Sequence, residues 1–293
     1  MRGSTSWAAW LCRQAPVEPL CIYRAGIGII CAAQALAWLP HSAELFSSEG
    51  FHCGLLASWA PPPRVALALC TLLVVSSAAV ANGAFTKTAL LVTVGTGGFL
   101  YALDRTNEKA NSSIALVTMT LLFFSPCAAR ISVDSWLRAR HGSQPAPAAA
   151  SMLVQRLLQI EFTQIYLVAG ALKVLSPQWR SGEALTGALR SRWATELGVW
   201  VSGWLSPRAA HSLSLATIVF ELGVPLLLWM PRNRAWVIAA ALAFHAGIQS
   251  TLQVGALGFH FALALLVLFP APEAVAGAFS AVQRWLFRPR VNP

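Results

Sequence analysis

Apolar stretches with few charges recur along the chain at 20–39, 64–83, 86–103, 111–129, 153–175, 208–230, 235–252 and 256–271. A membrane-spanning helix needs about 20 mostly apolar residues. In hydrocarbon only helices and closed barrels satisfy every backbone N–H and C=O. Stretches of this length read as helices, so the expected fold is an all-α, polytopic transmembrane helical bundle of about eight spans, with residues 1–293 as one membrane domain. Only 11% of the residues are charged, well below the roughly 25% of soluble domains, and a water-soluble enzyme is excluded. The formal net charge is +10, but the basic residues lie between apolar runs, where they set orientation. The expected partner is the lipid bilayer, not nucleic acid.

Lys87, then Arg130, Arg138 and Arg140, then Arg232 and Arg234, then Arg284, Arg288 and Arg290 fall on one side of such a bundle. Glu44, Glu49, Asp104, Glu108, Glu183 and Glu196 fall on the other, with Arg180, Arg190, Arg192 and Arg208 softening the contrast. The positive-inside rule then places both termini in the cytoplasm, with a bacterial inner membrane as the expected location. Residues 1–19 lack a long apolar core and a small-residue cleavage site, and are expected to form a cytoplasmic tail rather than a cleaved signal. Residues 141–151, HGSQPAPAAAS, read as a flexible linker. Residues 182–206, with Trp193, Trp200 and Trp204, read as an amphipathic outer segment. The six cysteines form no CxxC, so neither a metal site nor a disulfide framework is indicated.

Ionisable groups inside a bilayer are costly, at about 2.5–3.5 kcal/mol each, and each is a candidate for function. In the fifth span Gln155, Gln159, Thr163, Tyr166, Gly170 and Lys173 are spaced by three or four residues, so they share one helix face. That stripe ends in an amine. Lysine is scarce here, with only Lys87, Lys109 and Lys173 among 21 basic residues. Lys173 has two readings: an ammonium snorkelling to the interface, or a base, since lysine, unlike arginine, sheds its proton when desolvated. Glu221 and His245 lie at matching distances from the turn near Arg232, which predicts a pair across a hairpin, either functional or a structural hydrogen bond. Gln249 follows His245 by four residues and extends that polar face. An outward-open cavity is expected between the fifth, sixth and seventh spans. Asp134, beyond the fourth span, is expected as a local cap or as a partner of Arg130 or Arg138.

Taken together, IYRAGIGII, LFSSEGF, NSSIALVTMTLLFFSPCAARISVDSW, LLQIEFTQIYLVAGALKVLSPQW, FELGVPLLL and FHAGIQSTLQVGALGF resemble the HTTM membrane domain, over about residues 15–271. This family is shared by vitamin K-dependent gamma-carboxylases and many bacterial proteins. The most specific stretch runs from Tyr166 through Lys173 to Trp179, followed by Gly182. The resemblance implies that Lys173 is the base that deprotonates a reduced quinone such as vitamin K hydroquinone, starting oxygen-dependent formation of a strong base for a lyase-type carboxylation. It implies a catalytic His245, with Tyr166, Trp179, Glu221 and Gln249 as substrate-binding residues. Where the carboxylases carry asparagine, histidine and serine, this chain has Asn111, Ser112 and Ser113. The resemblance is to a compact form without the C-terminal soluble region, so the expected partner is a peptide or a separate soluble protein. An alternative within the wider family is a non-catalytic, SdpB-like partner in maturation or export of a secreted peptide.

Overall fold

The structure, a computed structural model, describes residues 6–103, 110–144 and 146–286. Asp104, Glu108, Arg288, Arg290 and the Asn111 side chain, all invoked above, lie outside the described set. In chain order the elements are α1 (Trp7–Leu11), β1 (Gln14–Pro16), α2 (Glu18–Trp38), α3 (Ser42–Phe46), α4 (Pro63–Asn82), α5 (Thr86–Leu103), α6 (Ala110–Phe123), α7 (Val133–Arg140), β2 (Ala149–Ser151), α8 (Leu153–Leu175), α9 (Pro177–Ser181), α10 (Glu183–Leu189), α11 (Glu196–Trp204), α12 (Pro207–Leu228), α13 (Arg234–Thr251), α14 (Leu257–Val267) and α15 (Pro272–Leu286). Among the described residues the fold is all-α apart from the two short strands.

Every expected span falls on a helix, but not every helix is a full span. Among the described residues, Glu18–Phe46, Pro63–Asn82, Leu153–Leu175 and Pro207–Leu228 are long and apolar enough to cross a membrane, giving four such segments, or five if α14 and α15 count together. The expected count of about eight is higher because α6 is short and α5 and α13 carry more polar groups, Lys87 with four threonines in one and Arg234, His245 and Gln249 in the other. Helix α6 stops early because Pro126 disfavours helical geometry at Ser125. Lys87 then donates to the freed carbonyls of Phe123 and Ser125.

Two compact units divide the chain: residues 1–158 with 270–293, and residues 159–269. In the first, Gly28 lets α2 meet α4 at Ala81, where a Cβ would come within 3.0 Å of the alanine methyl. Ala35, Phe46, Ala66, Cys70, Leu73, Leu100 and Leu103 form the adjoining core. Arg24 is fully buried and donates to four main-chain carbonyls, those of Val80, Ala81 (3.0 Å), Cys127 (3.1 Å) and Ile131 (2.5 Å). The guanidinium thus satisfies the carbonyls left over where α4 ends and where the chain turns after α6, the groups that a helix C-terminus cannot satisfy itself.

Asp134 does not cap its own helix or pair only with an arginine. Ser132 caps α7, Arg130 pairs with Glu18 at 3.3 Å, and Asp134 caps α5 by accepting from the Phe85 N–H (2.8 Å), the Thr86 N–H (2.8 Å) and the Thr86 hydroxyl (2.7 Å). Burial pushes the Asp134 pKa up, but these donors and nearby Arg138 outweigh it and hold the carboxyl below its usual value. Strands β1 and β2, in the expected tail and linker, pair antiparallel with Gln14 opposite Ser151 and Pro16 opposite Ala149. The linker is therefore anchored at its C-terminal end. Helix α15 is a further amphipathic helix that begins just after the last expected span.

Candidate functional site

The polar stripe of α8 faces inward. Gln155, Gln159, Thr163 and Tyr166 are all buried, as a one-sided period of 3.6 residues requires. Each buried polar group has to find a partner. The Gln159 amide donates to the Leu268 carbonyl at 2.6 Å, and the Thr163 hydroxyl donates back to the Gln159 carbonyl at 3.0 Å. One turn further on, Gly170 leaves room for α12: a Cβ there would meet the Leu222 side chain at 3.0 Å and Glu221 Cβ at 3.2 Å. The missing side chain lets Glu221 approach α8.

At the end of the stripe, Lys173 Nζ donates to Glu221 Oε1 at 2.8 Å and Oε2 at 2.7 Å. The two side chains are only 16% and 7% exposed, so the amine is turned toward α12 rather than extended outward as a snorkel. Its ammonium also lies 4.8 Å from the centre of the Trp179 ring, a cation–π contact. Trp179 is fixed by local structure. Ser176 caps α9 with Pro177 in the first turn, buried Ser214 of α12 donates to the Trp179 carbonyl, and Gly182 at φ +88° lets the end of α9 press against Ala210 and His211. Within α12, Pro225 has no N–H to give the Glu221 carbonyl four residues earlier.

Two turns back along α8 from Lys173, the Tyr166 hydroxyl and His245 Nε2 are 2.6 Å apart. The His245 ring stacks on Phe261 at 4.4 Å, Phe261 meets Tyr166 and Phe162 edge-on at 5.1 Å each, and Phe162 meets His260 at 5.3 Å. At this level the expected open cavity is filled by aromatic rings.

The expected Glu221–His245 pair does not form. Its depth argument is sound, because α12 and α13 do meet at that level, but through Phe220 and Phe244, whose rings lie 4.7 Å apart. Each polar residue is one position on, rotated by about 100°, and faces α8 instead: Glu221 takes Lys173 and His245 takes Tyr166. Gln249 donates to the Gly255 carbonyl at 3.0 Å and so holds the turn between α13 and α14. Phe261, His260, Ser214 and Pro225 join the site without having been singled out by the sequence.

The site therefore has two polar pairs on one α8 face. An ammonium has three N–H donors, and Lys173 gives two to Glu221, leaving the third directed to the region of the Trp179 ring. A carboxylate bound to an amine in a largely buried setting can exchange a proton with it, and the indole face beside it suits a planar ring. Residues 13–273 match the HTTM domain family, a match that runs through both compact units. No curated protein and no solved structure matches.

Proposed function

The chain belongs to the HTTM domain family, and from that premise we propose that it is an integral membrane enzyme acting on a lipophilic hydroquinone, with Lys173 as its general base. The observation that carries the reading is the Lys173–Glu221 contact at 2.7 Å beside the Trp179 ring. In its charged form Lys173 cannot accept a proton. Glu221 provides the place to which that proton moves, leaving a free amine to take one from a substrate hydroxyl within hydrogen-bond reach, as general-base catalysis requires. Trp179 supplies a face for the ring. Tyr166 and His245 form a second proton-bearing pair, and we assign His245 a supporting role there.

A reduced quinone of the vitamin K type is the proposed substrate class, and a peptide or a separate soluble protein is the proposed second partner of a carboxylase-like, lyase-type reaction. We further propose that α5, α6, α13 and α14 cross the membrane with the four longer helices, giving about eight crossings, and that both termini face the cytoplasm of a bacterial inner membrane. The β1–β2 pairing supports this topology, because it holds the N-terminal tail and the linker after α7 at one end with Arg13, Arg130, Arg138 and Arg140.

The test is a titration of the reconstituted protein with a reduced menaquinone, read by tryptophan fluorescence. Saturable quenching is expected, lost in Trp179→Phe and weakened in Lys173→Met, but retained in Trp236→Phe. Absence of saturable quenching in the unmodified protein, together with specific capture of a secreted peptide, would overturn the hydroquinone reading in favour of the SdpB-like one.

A further inference from the structure

A second site, unrelated to Lys173, lies within the first compact unit. A cavity of about 460 Å³ opens between α7, the segment before it, the linker and α15, lined by Arg130, Ser135, Arg138, Ser143, Phe279 and Gln283 among others. That size is within the range of small-molecule pockets, about 300–1,000 Å³. Its chemistry is one-sided. Arg130 contributes one contact to Glu18 at 3.3 Å, and Arg138 one hydrogen bond to the Ala128 carbonyl at 2.7 Å. Each guanidinium has five N–H donors in a planar fork, so most of both forks is left over. Of the neighbouring acids, Glu18 pairs with Arg130 and the Asp134 carboxylate, near Arg138, is turned to Phe85 and Thr86. Among the described residues that line the cavity, two are arginines and none is an acid.

We propose that this cavity binds the phosphate of an anionic phospholipid headgroup. Paired arginines match phosphate oxygens bidentately, and Ser143 and Gln283 add neutral donors at the rim. The lipid source, rather than a soluble phosphate, is argued from the flanks. Trp136 of α7 is 56% exposed, and Val282 and Trp285 of α15 are 52% and 71% exposed, so the two helices that line the cavity also carry exposed apolar and indole surface of the kind that sits at headgroup level. Arg140 lies 5.3 Å from the Trp136 ring, giving that flank both charge and an aromatic face. Basic pockets beside membrane helices recognise anionic headgroups by this combination.

The test uses the full chain in detergent micelles, with native mass spectrometry to count retained lipid. The probes are dioleoyl phosphatidylglycerol, dioleoyl phosphatidylcholine and inorganic phosphate. Phosphatidylglycerol should bind at least about tenfold more tightly than phosphatidylcholine, whose phosphodiester is the same but whose choline cation the arginines repel, and millimolar phosphate should not displace it. Arg138→Gln should abolish that preference, whereas Arg192→Gln, in the other unit, should keep it. Because Arg138 also serves the Ala128 carbonyl, Ser143→Glu and Gln283→Glu provide exposed alternatives that place a repelling carboxylate at the rim, and both should lose the lipid. Equal binding of the two lipids, or undiminished phosphatidylglycerol in both glutamate variants, would overturn the proposal. Displacement by inorganic phosphate would overturn the lipid assignment in favour of a soluble phosphate ligand.

Discussion

Breaking the Lys173–Glu221 pair one partner at a time should cost far more than its hydrogen bonds alone. At an effective dielectric of about 20, charges in contact at the observed 2.7 Å attract by about 6 kcal/mol. Desolvation of each ion opposes this by several kcal/mol, so the net worth of the pair is small, yet removing one member strands the other and costs about 3–5 kcal/mol. Glu221→Gln keeps the shape of the side chain, and Lys173→Met keeps most of the aliphatic stem. Each should destabilise by about 3 kcal/mol, and the double variant should fall short of the sum by about 2 kcal/mol. The assay is reversible unfolding in mixed micelles with increasing sodium dodecyl sulfate. Interhelical hydrogen bonds in membranes average only about 0.6 kcal/mol in such cycles, so a coupling of about 2 kcal/mol separates an ion pair from a plain hydrogen bond. Additivity within about 0.5 kcal/mol would refute the pairing.

Other expectations concern the fold that supports the site. Asp134→Ala removes the cap of α5 and should cost about 1–2 kcal/mol in thermal unfolding. Because the folded-state pKa of Asp134 is depressed, its contribution is present above its unfolded value of about 3.9 and fades as pH falls through the folded one; Asp134→Asn should flatten that acid limb of the stability profile. Gly170→Ala should destabilise by about 1–3 kcal/mol and weaken hydroquinone binding, since the new methyl meets Leu222 and Glu221; unchanged melting would contradict the packing described. Reporter fusions after residues 141 and 293 should both read cytoplasmic, and opposite signals at the two positions would remove one crossing.

The stripe on α8 is legible because a 3.6-residue period needs only the sequence to place Gln155, Gln159, Thr163, Tyr166 and Lys173 on one face. Partner choice is not legible in the same way. Depth along a hairpin follows from counting residues, but rotation decides whether Glu221 and His245 meet each other or, as found, leave that contact to Phe220 and Phe244. Arg24 stands in plain sight as an arginine in an apolar run, yet its acceptors are main-chain carbonyls of α4 and the turn after α6, which only tertiary structure brings together. Likewise, the strands Gln14–Pro16 and Ala149–Ser151 are too short to leave an alternating pattern. Asp134 caps a helix whose first residue, Thr86, is distant in sequence, so no capping motif of consecutive residues announces it.

The most direct test of the central claim is oxygen-dependent consumption of reduced menaquinone by proteoliposomes carrying the unmodified protein or Lys173→Arg. Arginine keeps the charge and the pairing with Glu221 but, with a pKa above about 12, offers no free base. Turnover above empty liposomes in the unmodified protein, with quinol binding kept and turnover lost in Lys173→Arg, is the predicted result. Turnover retained in the arginine variant, or none in the unmodified protein, would contradict it.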